Sequence, residues 1–307
     1  MNMQVPLRDE HECEQLLVLG SANVPVYVAP INDREFALFE GGISRDCDLF
    51  IDQLQACGID FKAIRYWFIS HKHYDHCGML CYVAPLMPNI EIVASPATID
   101  GWQSTSTRDV IDRLNATLGT PALARSCQRL DTLPVKAIAP GASFVAGNHL
   151  TVTAVATPGH SPDHTCFYDA GRQRLFTGDC LGELDPVTRC WRPLIFDDAE
   201  AYLESLRALC DLPVREIVTA HHGIVSPRGD ENLIRDCLVH TERCIREIHA
   251  ADHTEEIAER LHQHWHAVSA PFVPKKLHRS SMQRMVDLIL RLPLNASGKH
   301  SDLKALM

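Results

Sequence analysis

The 12 cysteines of this chain form no C-x-x-C pair, which excludes the thiolate zinc knuckle that such pairs build. They are scattered, and many lie in apolar segments where a free thiol behaves as a small hydrophobe. No apolar run is long enough to span a bilayer, so no membrane role is expected. Positive charge is scarce. The 29 Lys and Arg face 39 Asp and Glu, a formal charge of -10, and a chain without a basic field is not a general nucleic-acid binder. A local basic pocket for a small anion is still compatible with that balance. Residues Met1 to Glu14 are polar and acidic, unlike a secretory signal, so a reducing, cytoplasmic setting is expected. The hydrophobic fraction of 46% in 307 residues suffices for one large core or two smaller ones.

Against these absences stands one dense cluster, His71-Lys72-His73-Tyr74-Asp75-His76. It follows an apolar, strand-like segment, Ala63 to Ser70. Three imidazoles and a carboxylate suit a hard to borderline divalent metal. A chain with 17 His could carry a histidine-rich surface loop instead. The H-x-H-x-D-H frame is far more specific than a lone His pair, and the end of a strand is where open α/β folds place their chemistry.

Periodicity predicts strands at Leu16–Leu19, Val24–Ala29, Glu35–Phe39, Ala63–Ser70 and Glu91–Ala94. Helices are expected at Arg45–Ala56, Cys77–Leu86 and Thr107–Leu118. A second set of strands follows at Val135–Ile138, Ser143–Val145, Leu150–Ala156, Thr165–Tyr168, Leu175–Thr177 and Glu216–Thr219, with a helix at Ala199–Cys210. Strands and helices alternate in two similar halves, which predicts an α/β fold of two sheets face to face with helices outside. From Glu231 the pattern is helical only, over 231–250, 254–267 and 280–291. The expected organisation is therefore a domain over 1–230, a helical extension over 231–292 that caps the site or binds a partner, and a mobile tail over 293–307.

Three later points end predicted strands with a potential ligand. They are Thr157-Pro158-Gly159-His160-Ser161, Gly178-Asp179, and Ala220-His221-His222-Gly223. Each alone is weak, because a Gly-Asp is most often a turn and a lone His is more often structural. Together they complete a two-metal set. One ion would take His71, His73 and His160, and the other Asp75, His76 and either His221 or His222. Asp179 would bridge, having two oxygens to offer.

This ordered set resembles the metallo-β-lactamase superfamily over about the first 230 residues. The resemblance implies an αββα sandwich, here with a C-terminal helical extension, and metal-assisted hydrolysis in which Asp75 and Asp179 are the catalytic carboxylates. The superfamily usually has Pro-Gly-His-Gly at the last motif. This chain has Thr219-Ala220-His221-His222-Gly223, where strand register favours His221 and leaves His222 as the competitor.

Longer stretches resemble, more narrowly, the quinolone signal response family of pseudomonads. They are Phe39-Glu40-Gly41-Gly42-Ile43-Ser44-Arg45-Asp46, His71 to Gly78, Trp191-Arg192-Pro193-Leu194 with Phe196-Asp197-Asp198, Ala201-Tyr202-Leu203-Glu204-Ser205-Leu206, and Leu277-His278 with Ser281-Met282 and Arg284-Met285. That resemblance implies a thioesterase acting on an acyl-CoA, 2-aminobenzoylacetyl-CoA, in alkylquinolone biosynthesis and quorum sensing. It implies two divalent ions, iron before zinc or manganese, and Glu183, His278 and Ser281 at the substrate pocket. Ser280 or Ser281 would equally serve as a helix cap. It also implies contact with a LuxR-type transcription regulator, although only Arg243 keeps a matching place on the extension. Thioester hydrolysis suits the motif, since a thiolate leaves readily without a strong general acid. The motif alone equally accommodates a glyoxalase-II-like enzyme or a phosphodiesterase. A regulatory binding protein is the alternative of a different class. Apolar faces on the extension would suit a homodimer.

Overall fold

A computed structural model describes residues 15–119, 127–268 and 270–293. The expectations for Met1 to Glu14 and for the tail beyond Pro293 lie outside these residues. The first sheet contains β1 (Leu17–Ser21), β2 (Val24–Pro30), β3 (Phe36–Phe39), β4 (Ile64–Phe68), β5 (Glu91–Ala94) and β6 (Val135–Ala137), in that spatial order. β1 to β3 are an antiparallel meander, and β3 to β6 run parallel. The second sheet uses β7 (Ser143–Val145), β8 (Thr151–Ala156), β9 (Thr165–Asp169) and β10 (Arg174–Gly178). A separate two-stranded ribbon, β11 (Glu183–Leu184) with β12 (Trp191–Arg192), follows. β13 (Glu216–Thr219) and β14 (Gly223–Val225) then complete the second sheet, whose order is β14-β13-β10-β9-β8-β7.

Alternation along the strands builds the layers. In β2, Val26 and Val28 face an outer core while Tyr27 and Ala29 face the other sheet. In β3, Leu38 and Phe39 divide the same way. Strands buried on both faces read as near-continuous apolar runs. Between the sheets Phe39 stacks on Phe176, centroids 3.6 Å apart. Outside the first sheet lies α1 (Cys47–Ala56), whose Phe50 and Leu54 pack with Trp67 and Val28. The chain then passes through α2 (Tyr74–Cys77), α3 (Leu80–Val83), α4 (Pro96–Gln103) and α5 (Thr105–Leu118). Outside the second sheet lies α6 (Ala199–Leu209), whose Tyr202 and Leu206 pack with Leu175 and Ile217. The result is an αββα sandwich. α7 (Leu233–His249), α8 (Thr254–Val268) and α9 (Lys275–Ile289) join the α6 core through Ile245, Ile257 and Met285. Among the described residues no helix is long and apolar enough to cross a membrane.

The structure differs from the sequence expectation at several points. β6 belongs to the first sheet, parallel to β5, because α4 and α5 intervene and a parallel crossover needs such a connection. The single helix expected over Cys77–Leu86 is broken. The amides of Gly78 and Met79 bond to the carbonyls of Gly42 and Gly41, locking this segment onto the preceding turn. α4 has no counterpart in the sequence expectation, although Ser95 caps it by accepting the Thr98 amide and Pro96 occupies its first turn. α9 starts at Lys275 rather than 280. Ser280 and Ser281 are thus inside the helix and do not cap it; each hydroxyl bonds back to a carbonyl four residues earlier.

Candidate metal centre

Four strand ends converge on one edge of the sandwich. β4 leads into His71, His73, Asp75 and His76, β8 into His160, β10 into Asp179 and β13 into His221. Two glycines permit this convergence. Gly178 has φ +48°, and a Cβ there would lie 2.5 Å from His164 Nε2 and 2.8 Å from Ser70. Gly159 has φ +125°, with the Tyr202 backbone 2.4 Å from where its Cβ would stand.

Ligand-type atoms gather in three overlapping groups: His71 with His73 and His160, His71 with His76 and Asp179, and Asp75 with His76 and His221. His73 Nδ1 is 2.9 Å from both His71 Nε2 and His160 Nε2. Asp179 reaches across the whole cluster. Its Oδ2 is 3.2 Å from His160 Nε2 and 3.3 Å from His76 Nε2, and its Oδ1 is 3.1 Å from His221 Nε2. Asp75 is farther, 3.9 Å from the Nε2 of both His76 and His221. His222 joins none of these groups; its amide donates to Thr219 Oγ1 at the β13–β14 turn.

The outer nitrogens fix the rings. His160 Nδ1–H donates to the Leu194 carbonyl at 2.8 Å and His221 Nδ1–H to the Asn23 carbonyl at 2.9 Å. His76 Nδ1–H donates to the Glu40 carboxylate at 2.8 Å. Ser70 Oγ–H also donates to Glu40, so Ser70 Oγ accepts from His71 Nδ1–H at 3.0 Å. All four rings therefore turn Nε2 inward, the arrangement by which outer hydrogen bonds orient metal-binding imidazoles. His164 works from behind. Its Nε2 accepts the Asp179 amide at 3.0 Å, and its Nδ1–H faces Thr157 Oγ1. Asp163 pins the histidine loop by accepting from the Lys72 amide, the Lys72 ammonium and the Thr98 hydroxyl.

These residues fit a cation. The three nitrogens of the first group crowd within hydrogen-bond distance, yet with the outer protons committed at most one proton remains to share among them. His76 Nε2 and Asp179 Oδ1 are buried with no hydrogen-bond partner. Separations of 2.9 to 3.3 Å suit ligand atoms around one ion at about 2.0–2.2 Å. The electrostatics agree. Burial, then neighbouring imidazoles, holds His71 well below its ordinary pKa, and burial brings His73 and His160 to about 4. Burial opposes charge on His76 and His221 too, but Asp179 outweighs it and raises both. Asp179 in turn is held well below the carboxylate range despite its burial, by His76 and His221. Positive charge is thus called for on both sides of Asp179.

The cluster opens into a cavity of about 460 Å³, within the range of small-molecule sites. Its lining is mostly apolar, including Leu114, Leu194, Phe196, Phe272 and Leu277. Glu183, His278 and Ser281 all line it, as do His73, Asp75, His160, Asp179 and His221. Residues 270–284, spanning the α8–α9 connection and α9, supply one wall. Arg192 lies on the same lining, almost wholly buried and ion-paired with Glu183 across the β11–β12 ribbon. Sequence reading did not single out Glu40, Asp163, His164 or Arg192 as site residues. Asp163 and His164 follow His160 within four residues, and that density of polar groups was the available signal.

An αββα sandwich with a histidine–aspartate cluster across its strand ends defines a metal-centre protein of a known architecture. Residues 20–221 match the Metallo-beta-lactamase superfamily, and the chain belongs to that superfamily. A lactamase-like protein of Pestalotiopsis microspora is 28% identical over 170 residues, 52% of this chain and 50% of its own. The atrochrysone carboxyl ACP thioesterase of Aspergillus fumigatus is 37% identical over 76 residues, 24% of this chain and 22% of its own. The chain thus spans about half or less of the length of these curated relatives. Among solved structures, a metallo-beta-lactamase superfamily protein from Sulfolobus tokodaii superposes with TM-score 0.59 at 18% identity, over 85% of this chain and 98% of its own. A metallo-beta-lactamase family protein from Thermus thermophilus gives TM-score 0.58 at 20% identity, over 88% and 92%. At these identities the two structures speak for the fold.

Proposed function

We propose that this protein is a two-metal hydrolase that cleaves an acyl-CoA thioester, with 2-aminobenzoylacetyl-CoA as substrate and 2-aminobenzoylacetate as product. The observation that carries the reading is the junction of two features. A cluster suited to two cations opens directly into a cavity of about 460 Å³ with a mostly apolar wall. The likeness to a fungal acyl-carrier thioesterase, partial as it is, supports thioester chemistry. The longer resemblance to the quinolone signal response family supports the particular acyl group and iron as the metal.

His71, His73 and His160 would hold one ion, Asp75, His76 and His221 the other, and Asp179 would reach both. Bound there, two divalent ions supply a water nucleophile at neutral pH and an electrophile for the scissile carbonyl. The chain's own residues do the rest. Glu40, Ser70, Leu194 and Asn23 hold the imidazoles in one orientation. The mostly apolar lining would receive the acyl group, and Phe272 packs beside the His221 ring on the same wall. The leaving thiolate needs no strong acid.

The test is metal content together with hydrolysis of 2-aminobenzoylacetyl-CoA by purified protein, beside Asp179→Ala. About two ions per chain, with turnover that the substitution abolishes, is the expected result. Full metal occupancy without thioester turnover would remove the substrate assignment. Contact with a LuxR-type regulator is a separate proposal. It rests on the exposed Arg243 and Arg246 of α7, neither of which lines the cavity of the metal site.

A further inference from the structure

Beyond α5 the chain passes back beside α3, and there two free thiols meet. The Gln128 amide donates to the Cys81 carbonyl at 2.8 Å, which sets Cys127, the residue before it, alongside Cys81. Standard bond lengths then keep the two Cα atoms within roughly 8 Å of each other. Disulfides join Cα atoms up to about 6.8 Å apart, so a small closure suffices. Both thiols are free, and they share a hydrogen bond. The chain after Cys127 is firmly placed. Leu130 is buried in the core of the first sheet, and Asp131 pairs with Arg108 of α5.

The two sulfurs differ in what they can do. Cys127 is exposed, whereas Cys81 is buried beneath it. The Cys81 thiol, and after it the Tyr82 hydroxyl, lowers the Cys127 thiol to about 7, against burial and the Asp112 carboxylate. Cys81 moves the other way. The sulfur beside it holds its proton, and burial adds to the rise. Once Cys127 is capped, the first of those causes disappears and Cys81 ionises more readily. An accessible thiolate beside a covered thiol is the arrangement of a reactive cysteine and its resolving partner. Cys47 of α1 also feels the Cys127 charge and is the competing partner, but the backbone bond and the thiol contact favour Cys81.

We propose that Cys81 and Cys127 are a reversible redox pair, in which the exposed Cys127 captures a low-molecular-weight disulfide and the buried Cys81 displaces it to close a Cys81–Cys127 bond. In the first step the Cys127 thiolate attacks one sulfur of the small disulfide. A mixed disulfide forms, the original S–S bond breaks, and the departing thiolate takes a proton from water. In the second step Cys81 gives up its proton and attacks the Cys127 sulfur, and the captured half leaves as a second thiol. The protein loses two hydrogens and the small disulfide gains them. Tyr82 is a positioning residue that acts through the Cys127 sulfur. The bond ties α3, which follows the histidine loop, to the chain leaving α5, whose Val110 and Leu114 line the cavity. Neither cysteine belongs to the histidine–aspartate cluster, so the proposal is independent of the thioester reading.

Reduced, metal-loaded protein treated with oxidised glutathione, then alkylated and mapped by peptide mass, tests it. Wild type should yield one linked pair of peptides, Cys81 with Cys127, that a dithiol reductant separates, and Cys127 should retain no glutathione. Cys81→Ala should stop after the first step, with glutathione held on Cys127. It should also raise the pH of half-maximal Cys127 alkylation, which in wild type should lie near 7. Tyr82→Phe should raise that pH as well. At pH 7 wild-type Cys127 should be alkylated about threefold faster than the exposed Cys57, ionisation being offset in part by the weaker nucleophilicity of an acidic thiolate. The linkage and the Cys57 comparison are read on wild type, so they hold even if a variant fails to fold. Glutathione left on Cys127 in wild type, a link from Cys127 to Cys47, or Cys127 alkylated no faster than Cys57 would each overturn the proposal.

Discussion

Glu40 accepts the Nδ1–H of His76 at 2.8 Å from a backbone held at φ 63°, a left-handed conformation rare for a residue with a side chain. The same carboxylate accepts from Ser70, and its own carbonyl accepts from the Trp67 indole at 2.8 Å. Strained backbone persists where surrounding structure holds it, and here it lies directly behind the cluster. Glu40→Gln should lower metal affinity by about 10–100-fold, the usual effect of losing a carboxylate behind a ligating imidazole. Metal titration followed by calorimetry checks this. An unchanged affinity would show that Glu40 only tethers the turn.

Metal removal should destabilise the fold. The inward Nε2 atoms and Asp179 are buried and call for positive charge. An ion that binds only the native state adds about 4 kcal/mol at a thousand times its Kd. Chelation should therefore lower Tm, and reloading should restore it. A Tm indifferent to chelator and metal would argue that the cluster holds no ion.

Acid stability depends on Asp163. Burial alone would raise its pKa, but the Lys72 ammonium and the Thr98 hydroxyl outweigh burial and hold it at about 2. The unfolded value is about 3.9. The stabilisation, about 3 kcal/mol, is therefore fully present above pH ~4 and lost as pH falls through about 2. Denaturant unfolding of wild type and Asp163→Asn should differ most near pH 6 and converge near pH 2. A gap that ignores pH would assign the effect to packing instead.

The Glu183–Arg192 pair should behave as a buried ion pair. Burial lowers the Arg192 pKa to about 9, yet it stays charged at neutral pH. Glu183→Leu alone leaves that charge unpaired and should cost about 3–5 kcal/mol. Combining it with Arg192→Met should recover most of the stability, since apolar replacements of buried pairs are often neutral. Equal loss in the single and double variants would show that the two residues are not coupled.

Arg243→Ala with Arg246→Ala should leave thioester hydrolysis within about twofold of wild type, as expected of surface changes. Arg243 is exposed and near Glu247 on the same helix. A large drop in kcat would show that α7 supports the site.

The residues of the histidine–aspartate cluster were legible because each follows a strand, and strand ends of a sandwich meet. The residues behind them were not. Asp163 and Glu40 act through loops whose proximity to the cluster arises only after β3 has paired with β4 and the two sheets have packed together. Short-range periodicity also failed where tertiary bonds override it, as at Gly78 and Met79. It assigned β6 to the wrong sheet because a strand of three residues carries no mark of its neighbour. The start of α9 was misread because Lys275 and Lys276 mask its apolar stripe, so that Ser280 looked like a beginning.

The superfamily match ends at residue 221, while the cavity wall that includes His278 and Ser281 begins at residue 270. The cluster thus lies wholly within the matched stretch, while the cavity wall draws both on that stretch, through Leu114, Leu194 and Phe196, and on the residues beyond it. Change in the last helices can reshape the cavity without altering any residue of the histidine–aspartate cluster. Two chains with identical histidine motifs can accordingly face those motifs with different cavities.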